Sequence, residues 1–304
     1  MNSTFVFDFF LPWNFSPTVL GVVLVAAMLY MRGARDAVSP APARRRFAFY
    51  LGLALIYAAL QTKWDYYAGH MFFVHRLQHF VLQDVGPFLL AFSAPGSALA
   101  RGVPSPVRAR LRGVSAALRS SSRLIFDPWT ATAMFVASLC FWLWPPVQFD
   151  AMLSNWVYTL MNWSVVISDL PFWWLVLDPR PYPEARVGQG ARMLMLTFVM
   201  VPMILAGAII GLSRHDLYPV YEICGRFFPI SPLTDQQIGG MIIWIPGSLL
   251  TILAALIALS RAMSQSEACE RTRLVDNAST RSSKRNVLDG EAAWKQVRVE
   301  TRIE

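Results

Sequence analysis

The sequence predicts an all-α fold, a seven-helix transmembrane bundle with its N-terminus periplasmic and its C-terminus cytoplasmic. Three observations carry that expectation. Hydrophobic residues make up 55% of the 304 residues, charged residues only 15%, and the mean hydropathy is +0.41. Soluble domains carry roughly a quarter charged residues. Seven apolar stretches are long enough, or nearly so, to cross about 30 Å of hydrocarbon. The basic residues then alternate from one connection to the next. This composition excludes an ordinary soluble enzyme, a disordered chain and a disulfide-built secreted domain.

The expected spans are Ser16–Met31, Phe47–Gln61, Met71–Phe92, Trp129–Trp144, Asn155–Leu177, Ala191–Leu212 and Ile238–Ser260. The first two are short and extend through aromatic flanks such as Trp13 and Trp64. Five arginines sit in the first connection, six in the third, three in the fifth, and nine basic residues in the tail from Arg261. The opposite side holds only Lys63, Arg214 and Arg226, and Arg76 falls inside the third span. An asymmetry of 23 to three fixes orientation by the positive-inside rule, and an even number of spans would break it. The net charge of +8 is therefore a topology signal and not a nucleic-acid footprint. The expected home is the bacterial inner membrane, crossed several times, with lipid as the surrounding partner and no nucleic acid bound.

Two regions lie outside the spans. The basic cytoplasmic loop of residues 101–128 contains an amphipathic stretch, Pro106–Arg123, with Val107, Leu111, Val114 and Leu118 on one stripe. Lying on the anionic leaflet is its simplest reading, and docking a partner helix is the other. The bundle, residues 1–260, is followed by a charged tail, residues 261–304, read as mobile with a short helix around Trp294. Asp8 and the lack of a basic leader argue against a cleavable signal peptide. Cys140, Cys224 and Cys269 are too few and too far apart for a disulfide framework or a cysteine metal site.

The chemistry-bearing residues concentrate in the third span. His75 and His79 are four apart and share a helix face. With Met71, Gln78 and Leu82 they fall within roughly a 100° stripe, while His70 sits near the helix entrance. Imidazole with thioether suits copper, the thioether favouring Cu(I). The alternative is a polar seam bonding neighbouring helices. Arg76 and Asp84 fall off the stripe. Asp169 precedes Pro171 in the fifth span, where a proton relay or pairing with Arg or Trp donors are the two readings. Asp235, Gln236 and Gln237 open the seventh span, and Asp235 reads as its N-cap before it reads as a ligand contact. Gly207 and Gly211 form a GxxxG that signals close helix packing. Met193, Met195, Met200 and Met203 read as lipid- or core-facing filler. No lysine lies in a span, and no serine-hydrolase, zinc-protease or phosphate-loop motif is present, so no enzyme is expected.

At these positions the sequence resembles the polytopic CtaG-type family of cytochrome c oxidase assembly factors. His75-Arg76-Leu77-Gln78-His79, with Gly86-Pro87-Phe88-Leu89-Leu90 after it, is similar to the family's histidine stretch. Leu217-Tyr218-Pro219-Val220-Tyr221 resembles its sixth-span exit, and Asp235-Gln236-Gln237-Ile238-Gly239-Gly240 its most specific motif. The resemblance implies assembly of a haem–copper oxidase, with copper delivered or inserted from the periplasmic side. It implies the oxidase subunits as partners, with a periplasmic copper chaperone as a further one. His75 and His79, with Met71 and His70, are the expected ligands. Trp144, Tyr158 and Asn162 stand where family members often carry histidines, so either the site is reduced or its ligands are His75, His79 and a methionine. A copper or small-solute transporter and a metal-free scaffold are the competing readings.

Overall fold

The computed structural model describes residues 11–36, 41–113 and 123–300. Asp8, Val114 and Leu118 lie outside the described residues, as does the side chain of Leu111. Among the described residues the chain is helical and holds no strand; the one extended pairing is an isolated bridge between Pro12 and Thr62. The chain divides into two compact units, Met1–Ala258 and Leu259–Glu304.

In the first unit, α1 (Pro17–Arg35) and α2 (Ala43–Gln61) precede a broken third segment. That segment comprises α3 (Lys63–His70), α4 (Phe72–His79), a π-helical turn (Phe80–Val85) and α5 (Gly86–Phe92). The short helices α6 (Gly96–Gly102) and α7 (Ser105–Gly113) follow. Then come α8 (Pro128–Leu143), α9 (Pro145–Leu153), α10 (Asn155–Val176), α11 (Gln189–Leu212), α12 (Val220–Ile223) and α13 (Pro232–Glu300). In the second unit the chain stays helical to Glu300, so Trp294 falls within helix.

Local chemistry explains the helix starts. α1 has Ser16 before it and Pro17 in its first turn, where a missing N–H costs nothing. Thr62 accepts from the Trp64 N–H to begin α3. Asp127 accepts from the N–H groups of Trp129 and Thr130 at 3.2 and 3.0 Å to begin α8.

Each of the seven expected stretches lies in helical chain. Among the described residues, three helical stretches are long and apolar enough to cross a membrane: Pro17–Arg35, Gln189–Leu212 and Pro232–Arg271. A fourth is added if α8 and α9, bent by 72° at the Trp144–Pro145 junction, count as one. The outward faces of α1, α11 and the first half of α13 expose Val22, Val25, Phe198, Leu205, Ile209, Leu249 and Leu256. Apolar faces of this extent mark a membrane protein.

Inside, one apolar cluster gathers Phe72, Phe135, Phe172, Trp173 and Tyr221. A second gathers Met71, Val74, Leu82, Met161 and Val165. Residues 71–82 contribute to both clusters, so the histidine segment runs between two cores. The expected close approach at the GxxxG is observed. A Cβ on Gly207 would meet Gly240 O and Trp244 Cβ at 2.8 Å, and one on Gly240 would meet Gly211 N at 2.5 Å. α11 and α13 therefore touch through backbone, which only glycine permits.

Candidate functional site

The histidine helix does not start where an unbroken third span would. Met71 is extended (φ −142°, ψ 126°), and α4 begins at Phe72. What starts it is a side chain from far along the chain. The N–H groups of Phe72 and Phe73 donate to Asp235 Oδ2 and Oδ1 at 3.0 and 2.8 Å. Arg226 forms an ion pair with the same carboxylate, and Asp216 lies 3.8 Å from Arg226. A carboxylate here satisfies free first-turn donors and complements the helix dipole. Asp235 was expected to cap its own helix, and that expectation is corrected. Ser231 does so, accepting from the Thr234 N–H at 3.1 Å, while Asp235 caps α4.

One turn inward, the His75 and His79 rings lie with centroids 4.6 Å apart, both side chains buried. His75 Nδ1 is 2.6 Å from the Tyr221 hydroxyl. The Gln148 amide sets the direction of that bond. Its Nε2 donates to Trp142 O at 3.2 Å, and its Oε1 accepts from Arg76 Nη2 at 3.1 Å and from Tyr221 OH at 2.8 Å. The opposite orientation would set amide oxygen against carbonyl oxygen and amide nitrogen against guanidinium. Tyr221 therefore donates to Gln148 and accepts from His75 Nδ1–H. That tautomer leaves His75 Nε2 as a bare lone pair. Nε2 of His75 and Nε2 of His79 are both buried with no hydrogen-bond partner.

Gln78 anchors the same helix on another side. Its Nε2 donates to Ala59 O at 2.7 Å and to Asp65 Oδ1 at 2.9 Å. The Tyr158 hydroxyl lies 2.9 Å from Asp65 Oδ1 and 3.1 Å from Gln78 Oε1, so one proton is shared between two acceptors. Tyr158 thus fills its histidine-like position as a hydrogen-bond donor. Asp65, Gln148 and Tyr221 were not singled out as site residues from sequence. Gln148 carried a signal: a polar residue in an apolar run, just past a Trp-Pro-Pro break.

Below His79 the π-helical turn changes the facing of the residues that follow. Arg76, His79, Gln83, Asp84 and Met203 line one cavity of about 20 Å3, enough for a single water. The expectation that Arg76 and Asp84 stand apart from the histidines is corrected. Arg76 precedes His79 by three residues on the same regular helix and is its neighbour there. For Asp84 the expectation assumed 100° per residue, and the wider turn at Phe80–Val85 winds less. Arg76 Nε, Gln83 Nε2 and Asp84 Oδ1 are buried without partners. Asp169, fully buried on α10, accepts from Ser168 Oγ at 2.8 Å, and its Oδ2 has no partner. The expected Arg or Trp donor is not there: the nearby Trp173 indole donates to Gln83 O at 3.0 Å.

The remaining candidates separate from the pair. His70 ends α3, where its Nδ1 meets Tyr66 O at 2.8 Å and its ring lies 4.3 Å from that of Tyr66. Met71 is buried in the second apolar cluster. The break at Met71 removes both from the helix that carries His75 and His79. Gln236 is saturated, donating to Ile210 O and His215 O and accepting from Leu217 N, so it staples the loop after α11. Gln237 is exposed. Of the methionines in α11, Met195 and Met203 are buried, and Met203 lines the His79 cavity. Among the described residues no three His, Cys, Asp or Glu side chains gather as a metal-binding group.

These features define a helical membrane protein with a buried histidine pair, locked by hydrogen bonds on one side and open on the other. The chain belongs to the cytochrome c oxidase caa3 assembly factor family (Caa3_CtaG), whose family model matches residues 24–265. It is similar to uncharacterized protein Mb0105 of Mycobacterium bovis, at 22% identity over 240 residues. The same identity and length relate it to uncharacterized protein MT0111 of Mycobacterium tuberculosis. Each match covers 76% of this chain and 36% of the relative, so the chain spans about a third of the length of the curated relatives it matches. No solved structure matches.

Proposed function

We propose that this chain assists assembly of a haem–copper cytochrome c oxidase and carries copper, its cargo, on the His75–His79 pair. Family membership supports the assembly role. One observation supports the cargo: two adjacent buried imidazoles, each with an unpartnered Nε2. The donor set fits a transfer site. Two nitrogens do not complete the coordination sphere of a resident metal, so the ion stays exchangeable. The Met203 thioether lines the same cavity as His79 and is the soft donor nearest in kind to Cu(I). Arg76 in that cavity penalises a second positive charge, which favours Cu(I) over Cu(II).

In this reading the chain crosses the bacterial inner membrane seven times, N-terminus periplasmic, and the pair faces the periplasmic half. Copper then arrives from a periplasmic chaperone and leaves to the oxidase subunits. Asp235 and Tyr221 position the pair, Asp235 by starting its helix and Tyr221 by fixing the His75 tautomer.

The experiment is metal analysis of the purified protein loaded with Cu(I), alongside the copper content of oxidase from the same cells. Wild type should retain copper, and His75→Ala/His79→Ala should lose at least nine-tenths of it while remaining folded. Oxidase from the variant strain should be copper-deficient. A copper-free wild type that still restores a fully metallated oxidase would favour the scaffold reading.

A further inference from the structure

A second cavity lies away from the histidines. It is a cleft of about 510 Å3 formed by Arg45 near the start of α2, by the turn between α5 and α6, and by the end of α10. The turn contributes Ala91, Ala94, Gly96 and Ser97, and the far wall is Trp174, Asp178, Pro179 and Arg180. The turn is built small. Ala94 holds a left-handed backbone (φ 49°), which reverses the chain with no bulky side chain at the bend. A Cβ on Gly96 would sit 3.1 Å from the Trp174 ring, so any larger residue there begins to close the cleft.

The charges around it are not mutually cancelled. Asp178 is occupied by Arg180, whose Nε and Nη2 lie 3.0 Å from Oδ1 and 2.6 Å from Oδ2. Burial works to raise the Asp178 carboxyl. The side-chain and backbone hydrogen bonds from Arg180 outweigh it and hold the group below the ordinary carboxylate range. A guanidinium has five donors, and Asp178 does not use them all. The Arg45 N–H donates to Pro42 O at 2.9 Å, and its guanidinium makes no hydrogen bond or ion pair among the described residues. Arg192 reinforces the rim by donating to Asp178 O at 2.8 Å. The cleft is thus a cationic rim over a wall of small apolar residues and an indole. Trp favours the level of lipid headgroups, and cationic pockets at helix ends take anionic headgroups.

We propose that this cleft binds the phosphate headgroup of an anionic phospholipid, with Arg45 and Arg180 on the phosphate and Trp174 against the glycerol region. The lipid would bridge α2, the α5–α6 turn and α10, three segments whose ends meet there.

The test is native mass spectrometry of the full-length protein released from mixed micelles of phosphatidylglycerol and phosphatidylcholine with matched acyl chains. Wild type should retain phosphatidylglycerol at least tenfold over phosphatidylcholine. Arg45→Ala should lower retention about fivefold, the effect of one basic residue near an anionic surface. Gly96→Leu should do the same by filling the cleft, and Arg271→Ala, in the second unit, should change nothing. An unchanged unfolding temperature for Arg45→Ala separates lost binding from lost fold. Equal retention of the two lipids, or unchanged retention by Arg45→Ala, overturns the proposal. So does displacement of the lipid by millimolar inorganic phosphate, which would make this a site for a free anion.

Discussion

His75 and Asp84 sit two to three turns apart on the same segment, and their surroundings are opposites. Around His75 the polar groups are answered, apart from its own Nε2 and Arg76 Nε. Asp235 caps the helix start, Tyr221 and Gln148 hold the ring, and Gln78 ties the segment to Ala59, Asp65 and Tyr158. Around Asp84, within the π-helical turn, buried atoms go unanswered: Gln83 Nε2, Asp84 Oδ1 and, on α10, Asp169 Oδ2. An unmade buried hydrogen bond costs more than a made one contributes. The first region is scaffold, built to hold one geometry. The second carries a standing cost, and in the function proposed above it is where the cargo is received. The histidine Nε2 atoms sit where the two regimes meet.

The sharpest way to break this contrast is at the cap. Asp235→Ala strands two helix N–H groups and leaves Arg226 without its buried partner. Removing one member of a buried pair costs several kcal/mol. Because Arg226 keeps some solvent and the weaker contact to Asp216, about 2–3 kcal/mol is the expected loss. Asp235→Asn, which keeps an acceptor, should lose about half as much. Reversible unfolding in mixed micelles gives both numbers. A loss under about 0.5 kcal/mol for Asp235→Ala would make the cap incidental.

Next in size is Gln78→Leu, which leaves Asp65, Ala59 O and the Tyr158 proton to rearrange. The expected cost is about 2 kcal/mol, from several groups losing one partner each. Tyr221→Phe removes two bonds, one to Gln148 and one from His75, and interhelical hydrogen bonds in membrane proteins average about 0.6 kcal/mol, so its stability should fall by about 1 kcal/mol. Its larger effect should be on tautomer. With no acceptor at Nδ1, the His75 proton is free to move to Nε2, and Cu(I) retention should drop severalfold while the fold survives. Nitrogen-15 chemical shifts of His75 read the tautomer directly. Wild-type shifts with a protonated Nε2 would reverse the assignment.

These variants also show what the sequence could and could not convey. Helix content, the membrane class and the His75–His79 pairing were legible because they follow from composition and from a four-residue spacing. Gly207 and Gly211 were legible as a packing motif because their meaning is local. The role of Asp235 was not, since it serves a helix 163 residues away in sequence. Nor was the placement of Arg76 and Asp84. Arg76 was set apart because the wheel was read from one stripe and not from its three-residue spacing to His79. For Asp84 the facing holds only while the winding stays constant, and the π turn, which begins four residues before it, breaks that assumption. Met71 was misplaced for the same reason: the stripe presumed unbroken helix, and a cap from α13 starts it one residue later. Gln148 reaches the histidines because α9 turns 72° away from α8. Only the proline pair hinted at that bend.

The smallest expected effect on stability is the most telling about the unanswered region. Asp84→Leu removes a buried oxygen with no partner and places methyl groups toward a cavity of about 20 Å3. If Asp84 were part of the scaffold, the change would cost as much as Gln78→Leu. Replacing an unpartnered polar group by an apolar one of similar size is instead close to neutral, so a change within about 0.5 kcal/mol, or a gain, is expected. The Gln83→Leu variant should behave alike, because Gln83 Nε2 is unpartnered as well. Oxidase copper content in the same strains then separates the regions by function. A variant that is as stable as wild type yet yields copper-poor oxidase identifies these groups as retained for the cargo's passage. Loss of stability in both variants would instead mean that ordered water in the cavity already answers them, and the contrast between the two regions would disappear.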